Sequence, residues 1–135
     1  MNSLSHMLRH LLCVLVLWAC GTNAQTWVEF ARTSTAAAFL DQSTVQPDPS
    51  RVIGYFAWWR SDLAAQATVD GKPYSQHLSQ YRVDCLTRGL QSQRRYYFSS
   101  SGAQVGSDGP SGEALPMPDS LGEVFVNTVC ARAGR

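Results

Sequence analysis

Four cysteines, three histidines and ten carboxylates carry most of the reactive chemistry open to this 135-residue chain, and their spacing limits what they can do. Cys85 and Cys130 are the two cysteines that remain once the apolar N-terminal stretch is set aside, and they show neither Cys-X-X-Cys spacing nor a metal ligand set. Asp84 beside Cys85 suggests an activated thiolate, but no second base accompanies it. In an oxidising compartment the two sulfurs read instead as one structural disulfide. Closing the 45 residues between them contributes about 4 kcal/mol by chain entropy.

His77 is the only histidine beyond the N-terminal stretch, and a lone imidazole beside Ser75 and Gln76 reads as a solvated polar residue. A metal site needs two or more His or Cys ligands, and both cysteines are committed. Ser99-Ser100-Ser101-Gly102 lacks the Gly-X-Ser-X-Gly elbow of a hydrolase nucleophile. Gly106, Gly109 and Gly112 follow no hydrophobic strand and lead to no P-loop lysine. No catalytic residue, cofactor or metal is therefore expected, and the chain reads as a non-enzyme.

Two aromatic clusters with arginine are the candidates for a binding surface: Tyr55, Phe56, Trp58, Trp59 and Arg60, then Arg94, Arg95, Tyr96, Tyr97 and Phe98. Protein interfaces are enriched in these residue types, although a small domain also needs large apolar residues inside. Alternation puts Trp58 and Trp59 on opposite faces of a strand. If one face is covered, one tryptophan stays accessible. The expected protein-binding surface comprises Trp58, Trp59, Arg60, Arg94, Arg95 and Tyr97, and an open aromatic face also allows self-association.

The N-terminal stretch reads as a secretion signal. Arg9 and His10 form the positive region, Leu11 to Ala19 the apolar region, and Thr22-Asn23-Ala24 the cleavage site, giving residues 1–24 as signal and 25–135 as one domain. An alternative is lipid attachment at Cys20, within Leu17-Trp18-Ala19-Cys20-Gly21, where bulky Trp18 departs from the usual small residue. About ten apolar residues cannot cross a hydrocarbon core that needs about twenty, so no transmembrane segment is expected in the mature chain. Removal of 24 residues leaves 111, enough for one domain. Lys72 and nine arginines then balance ten acids, so no net field recruits nucleic acid.

The elements that must position these residues are strands first and a helix last. Trp27 to Arg32 and Ala36 to Leu40 form a hairpin across Thr33-Ser34-Thr35, and Asp41 to Ser50, with Pro47 and Pro49, reads as turn. Val52 to Arg60 is apolar on both alternating faces and reads as a central strand. Asp62 to Val69 reads as a short helical turn, and Asp70-Gly71-Lys72-Pro73 as a turn. A strand over Ser79 to Leu90 places Tyr81, Val83, Cys85 and Thr87 on one face. Arg94 to Ser99 and Ala103 to Gly106 complete the strands, followed by a loop over Ser107 to Pro118. Ser120 and Glu123 form a capping box for a helix ended by Gly134, with Leu121, Val124, Phe125, Thr128 and Val129 on one side and Val126 and Cys130 on its flank. This predicts an α+β domain: one antiparallel sheet of five to six strands, with the C-terminal helix packed on one face and disulfide-linked to it.

The order of Trp27, Phe39-Leu40-Asp41-Gln42-Ser43, Trp58-Trp59, Tyr74-Ser75, Asp84-Cys85, Tyr96-Tyr97, Gly102, Pro118-Asp119-Ser120 with Glu123, and Val129-Cys130 resembles the surface-adhesin protein E-like domain family, small exported proteins of Gram-negative bacteria. The resemblance implies a six-stranded antiparallel sheet with a helix tied to it through Cys85 and Cys130. It also implies a place in the periplasm or at the outer-membrane surface. The namesake adhesin binds host matrix and plasma proteins such as vitronectin, laminin and plasminogen. Plasminogen kringles capture lysine, and the mature chain holds only Lys72, with Arg135 at its end. The resemblance thus points to a protein partner from the host matrix or plasma. The alternative is a soluble periplasmic structural or assembly protein without adhesive activity.

Overall fold

A computed structural model describes residues 26–134, so the expected signal segment and Cys20 lie outside the described residues. Six strands follow one another: β1 (Trp27–Arg32), β2 (Ala36–Pro47), β3 (Gly54–Val69), β4 (Lys72–Asp84), β5 (Gly89–Phe98) and β6 (Gln104–Asp108). The helix α1 (Leu121–Ala133) closes the chain. Each strand pairs antiparallel with the next, in the order β1-β2-β3-β4-β5-β6, so the sheet is a plain meander. Short connections between consecutive strands make that the simplest topology.

Several local expectations change. Asp62 to Val69 is strand and not a helical turn, because Ala67, Thr68 and Val69 pair with Tyr74, Pro73 and Lys72 across a two-residue turn. Asp70 and Gly71 both have positive φ, 48° and 73°, the conformation that a tight hairpin needs, and this long-range ladder overrides the helix propensity of the alanines. The register slips between Asp62 and Ala67 to accommodate the extra residues.

Asp41 to Ser50 is extended as far as Pro47, with a second irregularity between Asp41 and Gln46. There the Trp58 amide donates to Thr44 Oγ1 at 3.1 Å, which replaces a ladder bond. Val52 and Ile53 belong to a turn, and β3 starts at Gly54. The expected strand over Ser79 to Leu90 breaks at a turn over 85–88, where Arg88 takes φ 65°. Asp84 causes this break by accepting from the Leu86 and Thr87 amides at 2.9 and 3.0 Å.

The core lies between one face of the sheet and α1. Ala38, Leu40, Ala57, Trp59, Tyr81 and Val83 from β2, β3 and β4 pack against Phe125, Val126 and Val129. Phe125 sits within 5.2 to 5.5 Å of the Trp59, Phe30 and Tyr81 rings. The bulge between Glu29 and Ala31 lets both Phe30 and Ala31 pack against this core from an edge strand.

The α1 N-cap is Ser120, whose side chain accepts from the Glu123 amide, while Glu123 Oε2 accepts from the Asp119 amide at 2.7 Å. The buried stripe is Phe125, Val126 and Val129, turned toward the Cys130 side relative to the expected one. The Cys85–Cys130 disulfide, with Cα atoms 5.7 Å apart, holds that side against the end of β4. Val124 and Thr128 are left half-buried, and Thr128 Oγ1 donates back to the Val124 carbonyl.

The open sheet face as a candidate protein-binding site

Strand alternation divides the predicted surface residues between two faces. On the helix side lie Trp59, Arg95 and Tyr97, with Trp59 and Tyr97 buried in the described structure. On the other side lie Trp58, Arg60 and Arg94, together with Phe56 and Tyr96. The two sets face away from each other and form no single patch.

On the helix side Arg95 and Tyr97 belong to a polar network. Arg95 donates through Nε to Ser79 Oγ at 2.9 Å and through NH2 to Tyr81 OH at 2.8 Å. Tyr97 OH donates to Asp108 Oδ2 at 2.5 Å, and burial, reinforced by that carboxylate, raises the phenol above its ordinary pKa. His77 Nδ1 lies 3.3 Å from Ser79 Oγ. Burial, with the Arg95 guanidinium adding to it, lowers the imidazole to about 4. Ser79 is fully buried, so this His-Ser pair presents no hydroxyl to a substrate. Trp59 is satisfied in the same interior, its indole donating to Ser61 Oγ at 2.8 Å.

The open face is organised by ring stacking. Trp58 and Tyr96 reach across β4 and stack with centroids 6.2 Å apart and planes 15° from parallel. The Arg60 guanidinium lies 4.3 Å from the Phe39 ring and 5.2 Å from Trp27, and it pairs with Asp62 at 3.2 Å. Arg82 lies 5.4 Å from the Phe56 ring and pairs with Asp48 at 2.8 Å. Arg60 and Arg82 are thus held internally by rings and carboxylates. Arg94 is exposed on the same face and forms no ion pair among the described residues. Trp58 is half-buried on the same face, with Arg94 across Gln80 of β4 in the register.

Asp84 and Cys85, adjacent in sequence, have separate structural duties. Asp84 is buried and pairs with Arg51 at 3.0 Å, while Arg51 also pairs with Glu113. The Thr87 amide, the Leu86 amide and Arg51 hold its carboxyl below the usual range against an opposing effect of burial. Cys85 is spent in the disulfide.

The six-strand meander with a C-terminal helix bridged to it defines a small α+β domain with one sheet face left uncovered by the helix. The chain belongs to the family described as Surface-adhesin protein E, whose sequence profile matches residues 27–131. Solved structures of Haemophilus influenzae protein E share the fold. Crystal form II superposes with a TM-score of 0.58 at 13% identity, covering 80% of this chain and 99% of that one. A second structure gives 0.59 at 12% identity, covering 80% and 86%. Protein E from the non-typeable organism gives 0.53 at 14% identity, covering 82% and 87%. No curated protein matches this sequence. Family membership makes the chain an adhesin-like protein of the surface or exported space.

Proposed function

We propose that the mature chain, freed of residues 1–24, is a non-enzymatic envelope protein in the periplasm or at the outer-membrane surface. It holds a protein partner, of the host matrix or plasma class, against its open sheet face. The observation that carries this reading is the Trp58–Tyr96 stack beside the exposed Arg94, on the face that α1 does not cover. Tryptophan, tyrosine and arginine dominate the binding energy of protein interfaces, and a stacked pair presents a large contact area at little entropic cost. Of the residues predicted from sequence, Trp58 and Arg94 are the ones positioned for this role, and Tyr96 joins them. Trp59, Arg95 and Tyr97 support the scaffold from the other face, while Arg60 braces the rings of β1 and β2.

The test is capture of the native protein on immobilised laminin and vitronectin. Trp58→Ala combined with Arg94→Ala is expected to weaken binding about tenfold or more, with far-ultraviolet circular dichroism unchanged. Unchanged capture by a folded double variant rejects this face as the contact surface.

A further inference from the structure

Four arginines are half-buried among the described residues: Arg51, Arg60, Arg82 and Arg95. The first three each face a carboxylate, at 3.0, 3.2 and 2.8 Å. Arg95 forms no ion pair among the described residues, and its hydrogen bonds go to neutral hydroxyls, from Nε to Ser79 Oγ at 2.9 Å and from Nη2 to Tyr81 OH at 2.8 Å. A guanidinium drawn out of water is ordinarily paired with an anion, because neutral partners return only part of the hydration it gives up. Arg95 therefore keeps an uncompensated charge. The two bonds fix the plane of the guanidinium, while Nη1 makes no hydrogen bond among the described residues and stays open to solvent.

Arg95 stands on the helix side of the sheet, in a strip between two raised elements. Tyr81 packs on Phe125 of α1 at 5.5 Å on one side, and Tyr97 packs on Tyr74 of the β3–β4 hairpin at 4.7 Å on the other. Val69, at the tip of that hairpin, lies 3.1 Å from the place a Cβ on Gly106 would take, so the hairpin curls over β6. Two other titratable groups face the strip. His77, 3.3 Å from Ser79 Oγ, is neutral at pH 7, and Asp62, the carboxylate that bears on it, is paired with Arg60. Asp108 lies opposite Arg95 in the β5–β6 register, but its carboxylate accepts from the Tyr97 hydroxyl and forms no ion pair with the guanidinium. The strip thus offers one positive charge, a neutral imidazole and a carboxylate at its edge. A monovalent carboxylate balances that charge, whereas a phosphate dianion would meet Asp108 with no second cation to offset it.

We propose that Arg95, through Nη1, binds the carboxylate of a ligand in the strip between α1 and the β3–β4 hairpin. The carboxylate belongs to a small free acid or to the end of a peptide chain, and the test separates the two. This site stands apart from the partner reading, since it lies on the opposite face and uses none of Trp58, Tyr96 or Arg94.

The probes are sodium acetate, N-acetylglycine as the mimic of a peptide carboxyl end, and sodium phosphate, each added to the mature protein at pH 7 and constant ionic strength. The Cε1 proton of His77, the only histidine of residues 25–135, reports binding by nuclear magnetic resonance and is assigned with His77→Gln. Acetate or N-acetylglycine is expected to move this signal to saturation with a Kd on the order of 10 mM, and Arg95→Gln to abolish the movement. Asp108→Asn keeps Arg95, removes the competing carboxylate at the exposed end of β6, and is expected to tighten binding about threefold. Tighter binding of N-acetylglycine than of acetate assigns the site to a peptide end, and equal binding assigns it to a free acid. A drift without saturation, a response that survives in Arg95→Gln, an Asp108→Asn variant that fails to bind more tightly, or a preference for phosphate overturns the proposal.

Discussion

His77, which reads in sequence as a solvated polar residue, is half-buried in place and acts as a stability determinant. Its half-buried ring lies near Arg95, and burial first, then that cation, lowers its pKa from the ordinary 6.5 to about 4. The folded state therefore favours neutral imidazole. Between pH 6.5 and 4 the unfolded chain takes up a proton that the folded chain refuses, so stability is fully present above about pH 6.5 and falls as pH drops toward 4. The loss amounts to on the order of 2 kcal/mol, allowing for the partial exposure of the ring. Urea midpoints measured from pH 7.5 to 4 should decline in the parent and stay nearly flat in His77→Gln. Parallel profiles in the two proteins would assign the acid sensitivity elsewhere. Asp84 acts at lower pH. Its depressed carboxyl, held by the Thr87 and Leu86 amides and Arg51, contributes stability that disappears only as pH falls through its folded pKa.

At the scale of elements, the helix and the disulfide are one device. α1 places only Phe125, Val126 and Val129 in full burial, and its first turn contains Gly122, so its own sequence supports it weakly. The capping box starts it and Cys130 anchors its last turns to the end of β4, 45 residues away. Reduction should lower the unfolding free energy by about 4 kcal/mol. Urea titrations with and without reductant measure this, and a difference below about 1 kcal/mol would show that packing alone holds the helix. The ends of this element were readable in sequence because caps are local signals. The conformation of residues 62–69 was not, because its alanines become strand only when Lys72, Pro73 and Tyr74 fold back across Asp70-Gly71. Local propensity yields to a ladder that does not exist until the hairpin forms.

For the whole molecule, the α+β class, the sheet with its C-terminal helix and the bridge follow from period, caps and cysteine spacing. The choice of inner face does not. Trp58 and Trp59 are neighbours of the same type, and alternation says only that they part. Deciding which one meets the helix takes the register of five strand pairs, including bulges that shift the alternation at Phe30 and between Gln80 and Tyr81. For the same reason Arg95 and Tyr97 fall on the inner side while Arg94 and Tyr96 fall on the outer one. The asymmetry has a measurable consequence. Trp59 is buried among Phe30, Tyr81 and Phe125, and its indole N–H is satisfied by Ser61, so Trp59→Ala leaves a cavity and an unpaired hydroxyl at a cost of about 3–5 kcal/mol. Trp58→Ala removes a half-exposed ring stacked on Tyr96, at a cost of about 1 kcal/mol. Urea unfolding of the two variants should separate them by at least about 2 kcal/mol. If the losses are equal, Trp58 is as much a part of the scaffold as Trp59, and the face that carries it loses its standing as a surface free to bind.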